Sequence, residues 1–117
     1  LLIEKGADID AMNIVKLTPL LTAVDMNQFE IVKLLINKGA NVNTQTEAGT
    51  FPLHNAAIYG NEKIAQLLIV HGADLNVMER FGSTPLDEAI KHKQAAMVKL
   101  LRKHGALTSE QLKTIEK

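Results

Sequence analysis

The chain repeats itself with a period of 33 residues. A Gly-Ala dipeptide recurs with this spacing, and a Pro-Leu dipeptide recurs with the same spacing in another part of each unit. The Gly-Ala dipeptides begin at Gly6, Gly39, Gly72 and Gly105, and the Pro-Leu dipeptides begin at Pro19, Pro52 and Pro85. Because no residue is inserted or lost between units, the period predicts equivalent structural units stacked in a row around one continuous core.

Each unit carries the local signals of two helices. Thr18 and Thr84 offer side-chain oxygens that cap a helix N-terminus, and each is followed by a proline, which the first turn tolerates. The first helix is short, about two turns, and its predicted ends are Asn27, Gly60 and Lys93. The second helix has apolar residues at helical spacing and stops at the glycine of each Gly-Ala dipeptide.

The composition is that of a folded globular chain of 117 residues, with 46% hydrophobic and 22% charged residues. Only 3% of the residues are aromatic, so a core of Leu, Ile, Val and Ala favours helices over a β-sandwich. The lack of cysteine excludes disulfides and thiolate zinc sites and favours a reducing compartment, so we expect an intracellular, cytoplasmic location. No apolar run approaches the length of a membrane span, and the N-terminus lacks the layout of a signal peptide.

The charges balance overall but are unevenly distributed. The formal net charge is zero, which argues against a nucleic-acid-binding chain. Residues 91–117, however, hold seven basic and two acidic residues, a local net charge of +5. A solvated, lysine-rich outer face explains this segment most simply, and a binding patch is the alternative.

Short polar motifs surround each helix stop. His71 and His104 directly precede glycines that end two helices, where a cation complements the helix dipole. We favour this capping role over a metal site, because equivalent positions in stacked units need not converge on one ion. After the glycine, an Asx-x-Asx motif begins at Asp8, Asn41 and Asp74 and predicts a tight turn into the next unit.

Together the period, the two helices and the Pro-Leu-His segment resemble the ankyrin repeat, a β-turn followed by two antiparallel helices. The resemblance extends over about residues 1–107. It implies an all-α repeat solenoid of ankyrin repeats (helix-turn-helix units with β-turn or hairpin loops) and a short C-terminal capping helix. The expected units are a partial repeat (1–11), two full repeats (12–44 and 45–77), a terminal repeat (78–107) and a C-terminal helical cap (108–117).

The central repeat departs from the family pattern next to its Pro52-Leu53-His54 segment. In ankyrin repeats the threonine before the proline is a common hydrogen-bond partner of this histidine. Phe51 occupies that position here, so we expect the local bond to be missing and His54 to need a backbone partner. The Phe51 ring is expected to pack against an adjacent turn. His54 is therefore interpreted as part of the scaffold, not as a catalytic or metal-binding residue.

The two ends of the sequence differ in character. Residues 1–11 begin inside the second helix of a repeat, so we expect a fragment, or a chain that has lost an N-terminal part by processing or disorder. At the other end, Thr108 and Gln111 have the spacing of a capping box. We expect them to begin a tail helix whose Leu112 and Ile115 cover the exposed face of the last repeat.

Nothing in the sequence has the pattern of a catalytic centre. There is no cysteine, glycine-rich phosphate loop, His-Glu-x-x-His motif or candidate triad. Asp87 and Glu88 are adjacent carboxylates, but neighbouring residues on a helix point in different directions. We therefore expect no enzymatic activity, no cofactor and no metal ion.

The family resemblance implies a non-catalytic protein–protein interaction module that binds a partner protein through the concave surface of its turn tips and first helices. No nucleic acid, membrane or small-molecule substrate is expected as a partner. The positions that the resemblance assigns to this surface are Met12, Ile14, Val15, Leu17, Asp25, Met26, Gln45, Glu47, Thr50, Ile58, Tyr59, Met78, Arg80, Phe81, Ser83, Lys91 and His92.

Three alternatives accompany this hypothesis. The apolar positions in residues 12–17 could equally cover a neighbouring repeat, whereas Tyr59, Arg80 and Phe81 favour an interface, because such residues anchor many interfaces. The chain could instead be the targeting or substrate-recruiting segment of a larger enzyme or effector protein. It could also be a self-associating scaffold. We expect a monomer, with a dimer through the incomplete N-terminal face as the alternative.

Overall fold

The computed structural model describes residues 18–46 and 49–115. These residues form seven helices and no strand. The helices are α1 (Pro19–Asp25), α2 (Phe29–Asn37), α3 (Pro52–Tyr59), α4 (Glu62–Val70), α5 (Pro85–Lys91), α6 (Ala95–Lys103) and α7 (Ser109–Ile115). The predicted all-α repeat solenoid is confirmed.

The first six helices form three hairpins stacked side by side. The two helices of each hairpin pack on each other, as the short connections between them require. The first helices α1, α3 and α5 also pack in sequence as one layer, and the second helices α2, α4 and α6 pack as another. Equivalent residues 33 positions apart therefore lie next to each other along a layer.

The predicted threonine caps are confirmed. The Thr18 hydroxyl accepts a hydrogen bond from the Leu21 amide at 3.3 Å, and the Thr84 hydroxyl accepts one from the Asp87 amide at 3.2 Å. Each threonine has an extended backbone, and the proline that follows opens the helix. These caps satisfy amide groups that have no partner within the helix.

The predicted ends of the first helices are also confirmed. Asn27, Gly60 and Lys93 have positive φ angles of 53°, 69° and 56°. Glycine and, to a lesser degree, asparagine tolerate this left-handed conformation, whereas a lysine is strained in it. The last repeat therefore carries a local backbone strain that the middle repeat avoids.

The Asx-x-Asx motifs at Asn41 and Asp74 form turns and also link one repeat to the next, and the motif at Asp8 lies outside the described residues. The Asn41 carboxamide oxygen accepts from the Asn43 amide at 2.9 Å, and the Asp74 carboxylate accepts from the Asn76 amide at 3.1 Å. The last residue of each of these two motifs, Asn43 or Asn76, also bonds the following repeat. The Asn43 side chain accepts from the Asp74 amide at 2.8 Å, and the Asn76 side chain accepts from the Leu107 amide at 2.7 Å. The predicted turn is confirmed, and it proves to be an inter-repeat contact.

The core lies between the two layers and runs the length of the stack. It is built from equivalent leucines of consecutive repeats, together with alanines that let neighbouring first helices approach closely. The fully buried leucines are Leu20, Leu21, Leu35, Leu53, Leu68, Leu86 and Leu101. The alanines are Ala23, Ala56 and Ala89. Each repeat thus completes the core of its neighbour.

His54 is fully buried and makes two hydrogen bonds. Its Nε2 donates to the Ser83 carbonyl of the next repeat at 2.8 Å, so the expected backbone partner is confirmed. The expectation of no local bond is wrong, because the Phe51 backbone amide donates to Nδ1 at 3.2 Å. Loss of a threonine side chain does not remove this bond, since every residue except proline carries an amide. The Phe51 and His54 ring centroids lie 5.8 Å apart; packing of Phe51 against an adjacent turn stays a prediction.

The tail helix α7 begins as predicted but covers less than expected. The Thr108 hydroxyl accepts from the Gln111 amide at 3.1 Å, and the Gln111 side chain accepts from the Thr108 amide at 2.9 Å, which confirms the capping box. Leu112 is half-buried, but Ile115 is 66% exposed, so the expectation that both residues cover the last repeat is wrong for Ile115. The helix is held at its start, and Ile115 lies about 10 Å away at its far end.

Candidate functional site

Six of the predicted surface positions lie in register at the C-terminal ends of the first helices. They share the 33-residue spacing and lie next to each other because α1, α3 and α5 are packed side by side. This set, called the helix-end stripe below, comprises Asp25, Met26, Ile58, Tyr59, Lys91 and His92. Met26 is 64% exposed and Tyr59 is 58% exposed, whereas Ile58 is half-buried. The stripe therefore presents a thioether and an aromatic ring in adjacent repeats.

Two buried polar residues, Asn55 and Glu88, contact Asp25 and His92 of the stripe. The side chain of Asn55 in α3 hydrogen-bonds Asp25 of α1, while partial burial raises the pKa of Asp25 and this bond opposes the rise. The Glu88 carboxylate lies 3.4 Å from Nε2 of His92. Sequence reasoning missed Asn55 and Glu88. Their signal was present, since they occupy equivalent positions three residues before Ile58 and Lys91.

Two loops between repeats each contain a turn, called a tip below, that starts at Thr46 in one loop and at Glu79 in the other. The two tips have the same backbone hydrogen bonds. The Thr46 amide donates to the Thr50 carbonyl at 2.8 Å, and the Glu79 amide donates to the Ser83 carbonyl at 2.9 Å. The side chain at the first position closes each turn. The Thr46 hydroxyl accepts from the Thr50 amide, and the Glu79 carboxylate accepts from the amides of Phe81 and Ser83. Thr46 and Glu79 were not predicted, because a residue that closes a turn has no fixed type in this motif.

Three of the predicted tip residues serve the turns themselves. The Gln45 side chain donates to the Gly49 carbonyl at 3.0 Å, and the Thr50 hydroxyl lies 2.8 Å from the Thr46 hydroxyl. Ser83 is half-buried and uses its carbonyl as the acceptor for His54. These groups are engaged within the chain, and their contact with a partner stays a prediction.

Three other tip residues, Met78, Arg80 and Phe81, are exposed. Phe81 is the most exposed of the large apolar side chains in the described residues, at 87%. The tip that carries them is supported from behind, because a Cβ at Gly49 would lie 2.8 Å from the Arg80 amide nitrogen. Glycine at position 49 therefore allows the two tips to approach each other closely.

Five predicted positions lie outside the described residues. These are Met12, Ile14, Val15, Leu17 and Glu47. The partial repeat predicted at residues 1–11 lies outside them as well. The candidate site is therefore built from the stripe and the two tips alone.

The stripe and the tips form two separate areas. Each tip directly precedes the N-terminus of a first helix, whereas the stripe lies at its C-terminus. A helix of seven or eight residues is about 10–12 Å long, so a partner that contacts both areas spans at least one helix length. Such a span is within the reach of a protein surface and beyond that of a single small group.

The titratable residues at positions 54, 87 and 88 have partners within the chain. Among residues 18–46 and 49–115, no three His, Asp or Glu side chains are grouped so that they could hold a metal ion. The adjacent carboxylates have separate partners, because Asp87 accepts from the Thr84 amide at 2.9 Å and Glu88 faces His92. Burial lowers the pKa of His54, and both of its ring nitrogens are engaged with backbone groups.

No helix within the described ranges is long and apolar enough to cross a membrane. A family model described as ankyrin repeats, in three copies, matches residues 20–111. A search among curated proteins gave no match. The family match extends over more than half of the chain and includes the whole of α2 to α6.

Proposed function

Because this chain belongs to the ankyrin-repeat family, whose domains are generally protein–protein interaction modules and typically non-catalytic, we propose that it binds a partner protein through the helix-end stripe and the turn tips. The observation that carries this proposal is the exposure of Met26, Tyr59 and Phe81 at predicted positions. Large apolar side chains held in water are typical of interaction sites.

The chemistry of these residues suits a protein partner. Tyrosine and phenylalanine offer large contact areas at a low cost in side-chain entropy, and they often dominate the binding energy of an interface. Met26 adapts its shape to a partner because its thioether chain is flexible. Lys91 and His92 lie at one end of the stripe and Asp25 lies at the other. A partner complementary to the stripe therefore places an acidic group near α5 and a basic group near α1.

The test begins with a pull-down that uses the whole chain as bait. The captured protein is identified by mass spectrometry. The affinity of that protein is then measured for the wild type, Tyr59→Asp and Phe81→Asp. We expect each substitution to weaken binding about ten-fold or more, with an unchanged melting temperature, since both side chains are exposed.

Leu68→Ala is the matched control, because Leu68 is fully buried in the helix that follows Tyr59. It is expected to lower the melting temperature, and to weaken binding only by unfolding the chain. If both surface variants bind as tightly as the wild type while only Leu68→Ala loses binding, the partner contacts another surface and the proposal is wrong.

A further inference from the structure

The layer of second helices carries an apolar groove that the proposed partner surface does not include. Phe29 of α2 and Leu67 and Val70 of α4 line it together with Lys63 and Gln66, and its volume is about 240 Å³. Val70 is 69% exposed, and the neighbouring Leu34 is also exposed. A helix surface that faced only water would need no such residues.

The next helix along the same layer is basic. In α6 the positions equivalent to Gln66 and Val70 are Lys99 and Lys103. Both are exposed, and Arg102 lies beside them at a spacing that places all three on one side of the helix. The groove lies on α2 and α4, and α6 packs against α4 with axes about 8–10 Å apart, so the lysines lie one helix beyond the groove. The groove and these cations are called the second-helix face below.

The cations of α6 have no carboxylate partner within the chain's described part. Residues 89–109 contain five Lys or Arg residues and no Asp or Glu. The ion pairs found in the described residues are His92 with Glu88 and Lys113 with Glu110, and neither involves α6. The excess positive charge is thus available to a partner.

The role of α6 at the end of the stack accounts for only part of this charge. Arg102 occupies the position of Ile36 and Ile69, where a terminal repeat needs a polar residue. Arg102 and Lys103 also complement the dipole in the last turn of the helix. Lys99 lies in the middle of α6, where the dipole gives it no such role. Neither explanation applies to the exposed Val70.

We propose that the second-helix face is a separate docking surface for an acidic protein segment that carries apolar anchors. The anchors enter the groove at Leu67 and Val70, and the acidic groups pair with Lys99 and Lys103. The positive charge favours an acidic partner, and the apolar groove favours a protein segment with apolar side chains.

Two other anionic partners fit the face less well. Nucleic acid would place phosphates over an apolar groove, and Phe29, the one aromatic residue of the second helices, is half-buried and offers bases little surface for stacking. An anionic membrane would be held by few cations on one helix of nine residues, each of which adds only a small attraction.

The experiment uses the whole chain and a fluorescent amphipathic peptide of about 20 residues, with glutamates on one face and leucines on the other. Binding is measured by fluorescence anisotropy at low and high salt. We expect the double variant K99E/K103E to bind the peptide about ten-fold more weakly than the wild type, and Val70→Ser to weaken binding to a smaller extent. Binding to the wild type is expected to fall as salt rises.

Two substitutions serve as matched controls. Lys113→Glu reverses an exposed lysine on α7, and Tyr59→Asp alters the helix-end stripe, and both are expected to leave peptide affinity unchanged. All four variants change exposed side chains, and their circular dichroism and melting curves verify the fold. The proposal is overturned if the peptide fails to bind, or if K99E/K103E binds it as well as the wild type does. It is equally overturned if Tyr59→Asp abolishes binding, or if duplex DNA or phosphatidylserine vesicles bind more tightly than the peptide. None of these results bears on the partner of the stripe, which is tested with a different protein.

Discussion

The middle and last repeats place different side chains at the same position, His54 and Asp87. Both side chains accept the amide of the residue that precedes the helix, from Phe51 at 3.2 Å and from Thr84 at 2.9 Å. Both also reach the next segment of chain. His54 donates to the Ser83 carbonyl at 2.8 Å, whereas a carboxylate of Asp87 accepts from the Ser109 amide at 3.0 Å.

The difference follows from the donor and acceptor capacity of the two side chains. A neutral imidazole has one donor and one acceptor, so it bridges an amide and a carbonyl. An ionised carboxylate only accepts, so it bridges two amides. Between two repeats the neighbouring group is a carbonyl, and before the tail helix it is an amide. In these two repeats the side chain at this position makes two hydrogen bonds, and the next segment of chain decides which residue makes them. The first repeat has the fully buried Leu21 at this position instead.

Among the substitutions that compare the two repeats, those in the core are expected to give the largest loss of stability. Leu68 and Leu101 are equivalent and fully buried, but Leu68 has a repeat on each side, whereas α6 is the last helix of its layer. We expect Leu68→Ala to reduce the free energy of unfolding by about 4 kcal/mol and Leu101→Ala by about 2–3 kcal/mol. Urea denaturation of the two variants measures the difference, and an equal loss would show that the last repeat is packed as fully as the middle one.

The tips of the two repeats should respond differently to the same substitution. Gly49 and Gly82 have φ angles of +90° and +85°, so alanine is strained at both. A Cβ at Gly82 meets nothing within 4 Å, whereas one at Gly49 would lie 2.8 Å from the Arg80 amide nitrogen. We expect Gly82→Ala to cost about 1 kcal/mol and Gly49→Ala about 2–3 kcal/mol. Thermal denaturation of both variants measures which loses more stability. A larger loss in Gly82→Ala than in Gly49→Ala would contradict the prediction.

The buried histidine should make the middle repeat sensitive to acid. Burial lowers the pKa of His54, and the bond to Ser83 and the charges of Glu79, Glu88 and Asp87 oppose the shift only in part. The unfolded chain therefore takes up the proton at a higher pH than the folded chain does. The contribution of His54 to stability is fully present above the pKa of the unfolded chain, about 6.5. It is lost as the pH falls from that value towards the lower pKa of the folded chain.

This sensitivity is measured by the change in melting temperature between pH 7.5 and pH 5.5. We expect a larger decrease in the wild type than in His54→Gln, whose amide does not titrate. His104→Gln, which removes an exposed histidine, is the control and should behave as the wild type does. A wild-type curve that coincides with that of His54→Gln would contradict the assignment.

The smallest effect is expected at the ends of the first helices. Gly60 and Lys93 are equivalent and have left-handed backbones, but only the lysine carries a side chain that opposes this conformation. We expect Lys93→Gly to raise the free energy of unfolding by about 0.5–1 kcal/mol. Lys93→Ala removes the same charge while keeping a Cβ, so it should bring no gain. An equal gain in both variants would assign the effect to charge and not to the backbone.

Local chemistry made much of the fold predictable. The threonine caps, the left-handed ends of the first helices and the Asx turns each depend on a residue and its near neighbours in sequence. The site residues stay predictions. Gln45, Thr50 and Ser83 also have roles in the turns or between repeats that the sequence did not indicate. Asn55 bonds Asp25, 30 positions away in the sequence, which no local rule covers, whereas Glu88 and His92 are an i,i+4 pair.

The 33-residue period and the capping residues were sufficient to determine the family, the number of helices in each repeat and the register that aligns Met26 with Tyr59. The tertiary structure decided which apolar residues face water. Leu68 and Val70 lie two positions apart in α4, yet one is fully buried and the other is 69% exposed. Exposure depends on what the neighbouring repeats place against a side chain. That is a property of the stack and not of a single segment.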